Sequence, residues 1–93
     1  VVIMQSQVNQ AWRTSMEVGV RVDAEDPATG SLVHCCTAYL TFVALDAHGQ
    51  PRAIPPLQPG EDADAIRRAK EANLRRTRRL EMRELRKQFR EEP

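Results

Sequence analysis

Ser15-Met16-Glu17-Val18-Gly19-Val20-Arg21-Val22-Asp23 decides how this chain folds. Met16, Val18, Val20 and Val22 share one side of an extended chain, and Ser15, Glu17, Gly19, Arg21 and Asp23 share the other. Successive side chains of a strand point to opposite faces, so this alternation predicts a half-buried strand over residues 14–23. Upstream, residues 1–12 are rich in Val, Ile and Gln, carry no breaker and read as another strand. Downstream, Glu25-Asp26-Pro27-Ala28-Thr29-Gly30 supplies turn chemistry, because Pro27 fixes φ and Gly30 permits a positive φ. A long strand is expected from Leu32 to Leu45. Its segment Ala38–Leu45 is apolar on both faces apart from Thr41, the pattern of a central strand covered on both sides. Asp46-Ala47-His48-Gly49 is the next turn. Pro51, Pro55, Pro56 and Pro59 then mark an extended segment leading out of the sheet.

From Glu61 the pattern changes. Helix formers run through Glu92 with neither Gly nor Pro, and Glu61, Asp62 and Asp64 place negative charge where a helix start favours it. Asp64/Arg68 and Glu71/Arg75 have the spacing and order of stabilising i, i+4 pairs. The apolar residues divide between two sides, Ile66, Ala69 and Leu80 on one and Leu74, Met82, Leu85 and Phe89 on another. A long helix docking partly on the sheet or on a neighbour is expected. The chain therefore reads as α+β, with strands over residues 1–60 and a charged helix over residues 61–93.

The bulk properties limit the function classes. With 93 residues the chain is at most one small domain. The net charge of +1 argues against a uniformly basic nucleic-acid binder. The first 60 residues carry three arginines and five acids, and the remainder carries 11 basic and eight acidic residues. Such a tail is dense in both signs, as solvated helices are. The two cysteines, Cys35 and Cys36, are adjacent, and a bridge between strand neighbours would be strained. Free thiols in a reducing compartment, the cytoplasm, are expected. Neither a Cys/His metal spacing nor an apolar run near the roughly 20 residues of a membrane span is present, so no metal and no membrane partner is expected. The start at Val1-Val2-Ile3 already reads as strand and lacks the pattern of a signal peptide; the natural start is expected upstream.

The sheet raises a physical problem. An apolar sheet face must be covered, and nothing in residues 1–60 has the pattern of a covering helix. The tail is too charged to be a buried core element. The expected cover is a segment upstream of Val1 or another chain.

Two stretches carry a resemblance. Val8-Asn9-Gln10-Ala11-Trp12-Arg13-Thr14-Ser15-Met16-Glu17-Val18-Gly19-Val20 resembles the acyl-CoA hydrolase group of the hotdog superfamily, and so does Ala38-Tyr39-Leu40-Thr41-Phe42-Val43-Ala44-Leu45-Asp46. Gly49-Gln50-Pro51-Arg52, Ile54-Pro55-Pro56-Leu57 and the acidic, then arginine-rich tail are similar to the same group. The resemblance implies a hotdog fold, an antiparallel sheet wrapped around one long central helix. It implies pairing of two such domains edge to edge, as a homo-oligomer that is a dimer of hotdog domains or a trimer of dimers. It implies hydrolysis of fatty acyl-CoA to fatty acid and CoA, with no cofactor. In that family the upstream half carries the central helix and the acidic or amide residue that activates water against the thioester carbonyl. The present residues match no such segment, so they are expected to be the C-terminal portion of a subunit, with the catalytic residue unassigned.

Candidate site residues follow. Arg13-Thr14-Ser15 puts a cation and two hydroxyls at a bend, and Arg is well suited to phosphate through charge-assisted hydrogen bonds. The resemblance places this bend beside the CoA-binding groove, so Arg13, Thr14 and Ser15 are the expected CoA-binding residues; the plainer reading is a strand-entry turn. His34 and Cys35 are neighbours and suggest a base and a nucleophile. Adjacent strand residues face opposite ways, so ordinary sheet positions are the better reading. Glu17 is expected to be a solvated or paired sheet residue, Asp46 to cap its turn and His48 to be exposed. Two rival functions stand beside hydrolysis. One is a non-enzymatic assembly module of the same fold. The other is a basic helix on nucleic acid through Arg75-Arg76 and Arg78-Arg79. Steps of seven from Ile66 or Leu74 give no apolar seam, and Glu71, Glu81 and Glu84 intersperse the basic run.

Overall fold

The computed structural model describes residues 1–91. Strands β1 (Val2–Ala11), β2 (Ser15–Glu25) and β3 (Leu32–Val43) form an antiparallel sheet in the order β1-β2-β3. Helix α1 follows as Ala63–Glu91. The sheet belongs to a compact unit of residues Val1–Gln58, and the helix to a second unit that begins at Pro59.

The strand expected over 14–23 is β2, and it is the middle strand. The register places Met4, Val22 and Cys36 in one row across the sheet, then Ser6, Val20 and Ala38, then Val8, Val18 and Leu40. Residues directly opposite one another share a face, so these rows make one largely apolar face. The other face carries Gln5, Arg21 and Thr37, then Gln7, Gly19 and Tyr39. One extra residue interrupts the register on each outer strand, Asn9 in β1 and Cys35 in β3. Such bulges re-aim the neighbouring side chains.

Among the described residues β3 is an outer strand of the three. Its two-sided apolar run is that of a strand covered on both sides, and within these residues it pairs with β2 alone and all its residues are exposed. The apolar pattern reports that both faces are suited to cover, and it carries no information on which strand supplies the hydrogen-bonded neighbours. Met4, Val8, Leu40 and Phe42, all on the apolar face, are likewise exposed.

The turns follow their chemistry. Asp26 accepts from the Ala28 N–H through Oδ1 at 2.9 Å and from the Gly30 N–H through its carbonyl at 2.8 Å, and Gly30 takes the expected positive φ of 72°. The helix starts at Ala63 because Asp62 caps it. Asp62 Oδ1 accepts from the N–H groups of Asp64 at 3.0 Å and Ala65 at 3.4 Å, satisfying donors that lack an intrahelical partner. Asp64 pairs with Arg67 at 3.7 Å, one residue short of the expected Arg68. The side chains of α1 that are buried are Ala69 and Ala72, with Ile66 half-buried. Leu74, Leu80, Met82, Leu85 and Phe89, expected on two apolar sides, are exposed.

Candidate functional site

The bend between β1 and β2 brings the expected CoA-binding residues together. The Trp12 N–H donates to the Ser15 carbonyl at 2.7 Å and closes the turn. The Ile54 N–H donates to the Arg13 carbonyl at 3.0 Å, and the Ala44 N–H donates to the Thr14 carbonyl at 2.8 Å. The bend is thus fastened by backbone bonds to the segment after β3. Arg13 is exposed, while Thr14 and Ser15 are half-buried. A guanidinium so placed can reach an anion in solvent without a desolvation cost.

The segment after β3 is itself ordered by Asp46. Asp46 Oδ1 accepts from the N–H groups of His48 at 2.8 Å and Gln50 at 3.0 Å. The Arg52 N–H donates to the Ala44 carbonyl at 2.8 Å, and Gly49 adopts φ 76°. Asp46 therefore caps its turn as expected, and His48 is exposed.

A buried polar pair lies on the polar sheet face. Asn9 Nδ2 donates to Glu17 Oε2 at 3.0 Å, and the two residues are 3% and 2% exposed. Glu17 is paired, as expected, but buried rather than solvated. Gly19 makes the contact possible, because a Cβ there would stand 2.7 Å from Asn9 Nδ2. Sequence reasoning missed this pair. Its signal was Gly19, a glycine inside an otherwise strong strand pattern, which marks a close approach.

His34 takes no part in a Cys/His dyad. Its Nδ1 lies 3.3 Å from Asp23 Oδ1, and its Nε2 lies 3.2 Å from Thr37 Oγ1. Arg21 Nε donates to both Asp23 oxygens at 3.2 Å. The order hydroxyl, imidazole, carboxylate resembles a nucleophile relay, yet Arg21 already engages the carboxylate that would orient the imidazole. The Arg21 guanidinium offsets the charge of the buried Asp23, and His34 adds a hydrogen-bond contact to the same carboxylate. Cys35 and Cys36 are exposed and unbridged, and Cys35 Sγ lies 3.7 Å from the Val33 carbonyl oxygen. Among the described residues no group of three or more His, Cys, Asp or Glu is placed to hold a metal ion. No described helix is long and apolar enough to cross a membrane.

Comparison with known proteins complements this geometry. No family model matches the chain. Acyl-coenzyme A thioesterase 11 of Mus musculus is 38% identical over 80 residues, which are 85% of this chain and 13% of that protein. An uncharacterized acyl-CoA thioester hydrolase of Bacillus subtilis is 36% identical over 81 residues, 81% of this chain and 47% of that protein. Among solved structures, the acyl-CoA hydrolase of Staphylococcus aureus in complex with butyryl coenzyme A, coenzyme A and coenzyme A disulfide superposes with a TM-score of 0.81 at 32% identity, over 97% of this chain and 54% of that one. An apo-hexameric acyl-CoA thioesterase superposes with a TM-score of 0.78 at 31% identity, over 87% of this chain and 51% of that one. The chain thus spans about half the length of these solved structures. The sheet-then-helix order, the register and these likenesses place the 93 residues among the hotdog-fold acyl-CoA thioesterases.

Proposed function

We propose that the chain is the C-terminal portion of an acyl-CoA thioesterase subunit that hydrolyses fatty acyl-CoA to free fatty acid and CoA. The observation that carries this reading is the superposition of 97% of the chain on an acyl-CoA hydrolase solved with CoA species. Within this reading Arg13, Thr14 and Ser15 hold CoA phosphates, with Arg13 as the directional, charge-assisted donor. The exposure of Arg13 and the backbone fastening of its turn support that role. The catalytic group is supplied by residues outside these 93, because Glu17 is committed to Asn9 and Asp46 to its own turn. The working protein is a cytoplasmic homo-oligomer of paired hotdog domains, a dimer or a trimer of dimers. The exposed apolar sheet face and the hexameric relative support an assembled state.

The test is calorimetric titration of the complete protein with free CoA. Saturable binding that weakens in Arg13→Ala is expected. The absence of CoA binding would remove the reading in favour of a non-enzymatic assembly module.

A further inference from the structure

The second half of α1 is chemically sorted around its axis. Each residue of an α-helix advances about 100°, so residues three, four and seven apart share a face. Arg83, Arg86, Lys87 and Arg90 stand on one stripe, and Arg79 extends it by a turn. The four side chains line one depression together with Glu84. Met82, Leu85 and Phe89 form the adjoining stripe, and Arg78 lies within that stripe one turn earlier. Glu81, Glu84, Gln88 and Glu91 take the remaining side. Glu81 and Gln88 therefore lie away from the basic stripe, while Glu84 and Glu91, three and four residues from Lys87, border it. Every residue from Thr77 to Glu91 is exposed, in contrast to the buried Ala69 and Ala72 earlier in the helix. Phe89 is 65% exposed.

Three occupants fit a basic surface, and the neighbouring apolar stripe separates them. A nucleic-acid backbone would neutralise the cations but leave Met82, Leu85 and Phe89 in water. A second copy packed antiparallel on the apolar stripe would set the basic flanks against each other. An anionic lipid surface satisfies both stripes, because headgroups take the cations while the apolar side chains enter the boundary between headgroup and acyl chain. A helix with adjoining basic and apolar faces is the pattern of interfacial binding. We propose that residues 78–91 of α1 lie flat on anionic membrane, with Arg83, Arg86, Lys87 and Arg90 at the headgroups and Met82, Leu85 and Phe89 inserted. This contact lies on a bilayer and does not cross it, and it departs from the expectation of no membrane partner. It does not depend on the thioesterase reading.

The experiment is flotation of the complete protein with two kinds of vesicle, which leaves self-associated protein at the bottom of the gradient. One is pure phosphatidylcholine, and the other is phosphatidylcholine with about a third phosphatidylglycerol, in low salt. Roughly tenfold or greater preference for the anionic vesicles is expected, falling as salt shortens the screening length. The combined variant Arg83→Glu, Arg86→Glu, Lys87→Glu should lose that preference. The combined variant Met82→Ser, Leu85→Ser, Phe89→Ser should bind several-fold more weakly, and circular dichroism should show the helix retained in both. Equal binding to both vesicles, or none, overturns the proposal. Undiminished binding by the serine variant overturns the insertion of the apolar stripe. Binding of single-stranded polyuridylate without vesicle binding overturns it in favour of nucleic acid.

Discussion

Asn9 reaches across Gly19 to hydrogen-bond Glu17, and this buried bond joins β1 to β2 on the polar face of the sheet. A bulge at Asn9 makes it possible, since an unbulged strand would have given Asn9 a direct partner. Truncating Glu17 removes the acceptor of the buried Asn9 amide, which costs about 1–3 kcal/mol. Gly19→Ala is expected to destabilise by about 1–2 kcal/mol, because the new Cβ displaces the Asn9 amide. In an Asn9→Ala background the same substitution should cost much less. Urea melts of the four proteins form the cycle. Equal costs in the two backgrounds would separate Gly19 from the pair.

The helix start gives an independent prediction. Asp62→Ala removes the side-chain acceptor of two N–H groups and should cost about 0.5–2 kcal/mol, while Asp62→Asn should retain most of the stability. Far-ultraviolet circular dichroism during heating reads the loss.

Arg13 separates binding from folding. A hydrogen bond to a charged group contributes about 1.5–3 kcal/mol, and about 1.4 kcal/mol is tenfold in affinity. In the complete protein, Arg13→Ala is expected to weaken CoA binding roughly ten- to a hundredfold, with Tm nearly unchanged because Arg13 is exposed. Arg13→Lys should recover part of the loss, because an ammonium lacks the planar fork of guanidinium. Unaltered affinity in Arg13→Ala would exclude Arg13 as a phosphate ligand. A large fall in Tm would show a structural role instead.

Assembly is predicted from the sheet. Met4, Val8, Leu40 and Phe42 lie exposed on one face, and β1 and β3 are the outer strands. Open edges and uncovered apolar faces promote association. Light scattering on the 93-residue chain should show self-association. A monodisperse monomer that melts cooperatively would contradict this.

Most of the fold was legible because its signals are local. The alternation at Met16–Val22 gave β2, the Asp26–Gly30 turn gave the hairpin, and the break at Pro59 separated sheet from helix. Other features depend on residues far apart in sequence. The role of Asn9 required a bulge and a glycine ten residues away, and the pairing of β3 with β2 is not encoded in the composition of β3. The helix was legible as a helix, but a linear count of Glu81 and Glu84 among arginines concealed the single stripe of Arg83, Arg86, Lys87 and Arg90. Arg13, Thr14 and Ser15 were legible as a group because they are consecutive. Their fastening to Ala44 and Ile54 was not, because those bonds run between backbones.

Thioester hydrolysis tests the central claim most directly. A thiol-release assay with long-chain acyl-CoA should be run on the 93-residue chain and on the polypeptide extended upstream by its natural coding sequence. The account predicts turnover by the extended protein and only background from the 93 residues, since the catalytic group lies outside them. Substantial hydrolysis by the 93 residues alone would place the catalytic group among them, with Glu17 and Asp46 the first to substitute. No hydrolysis of any acyl-CoA by the extended protein would contradict the assignment as a thioesterase.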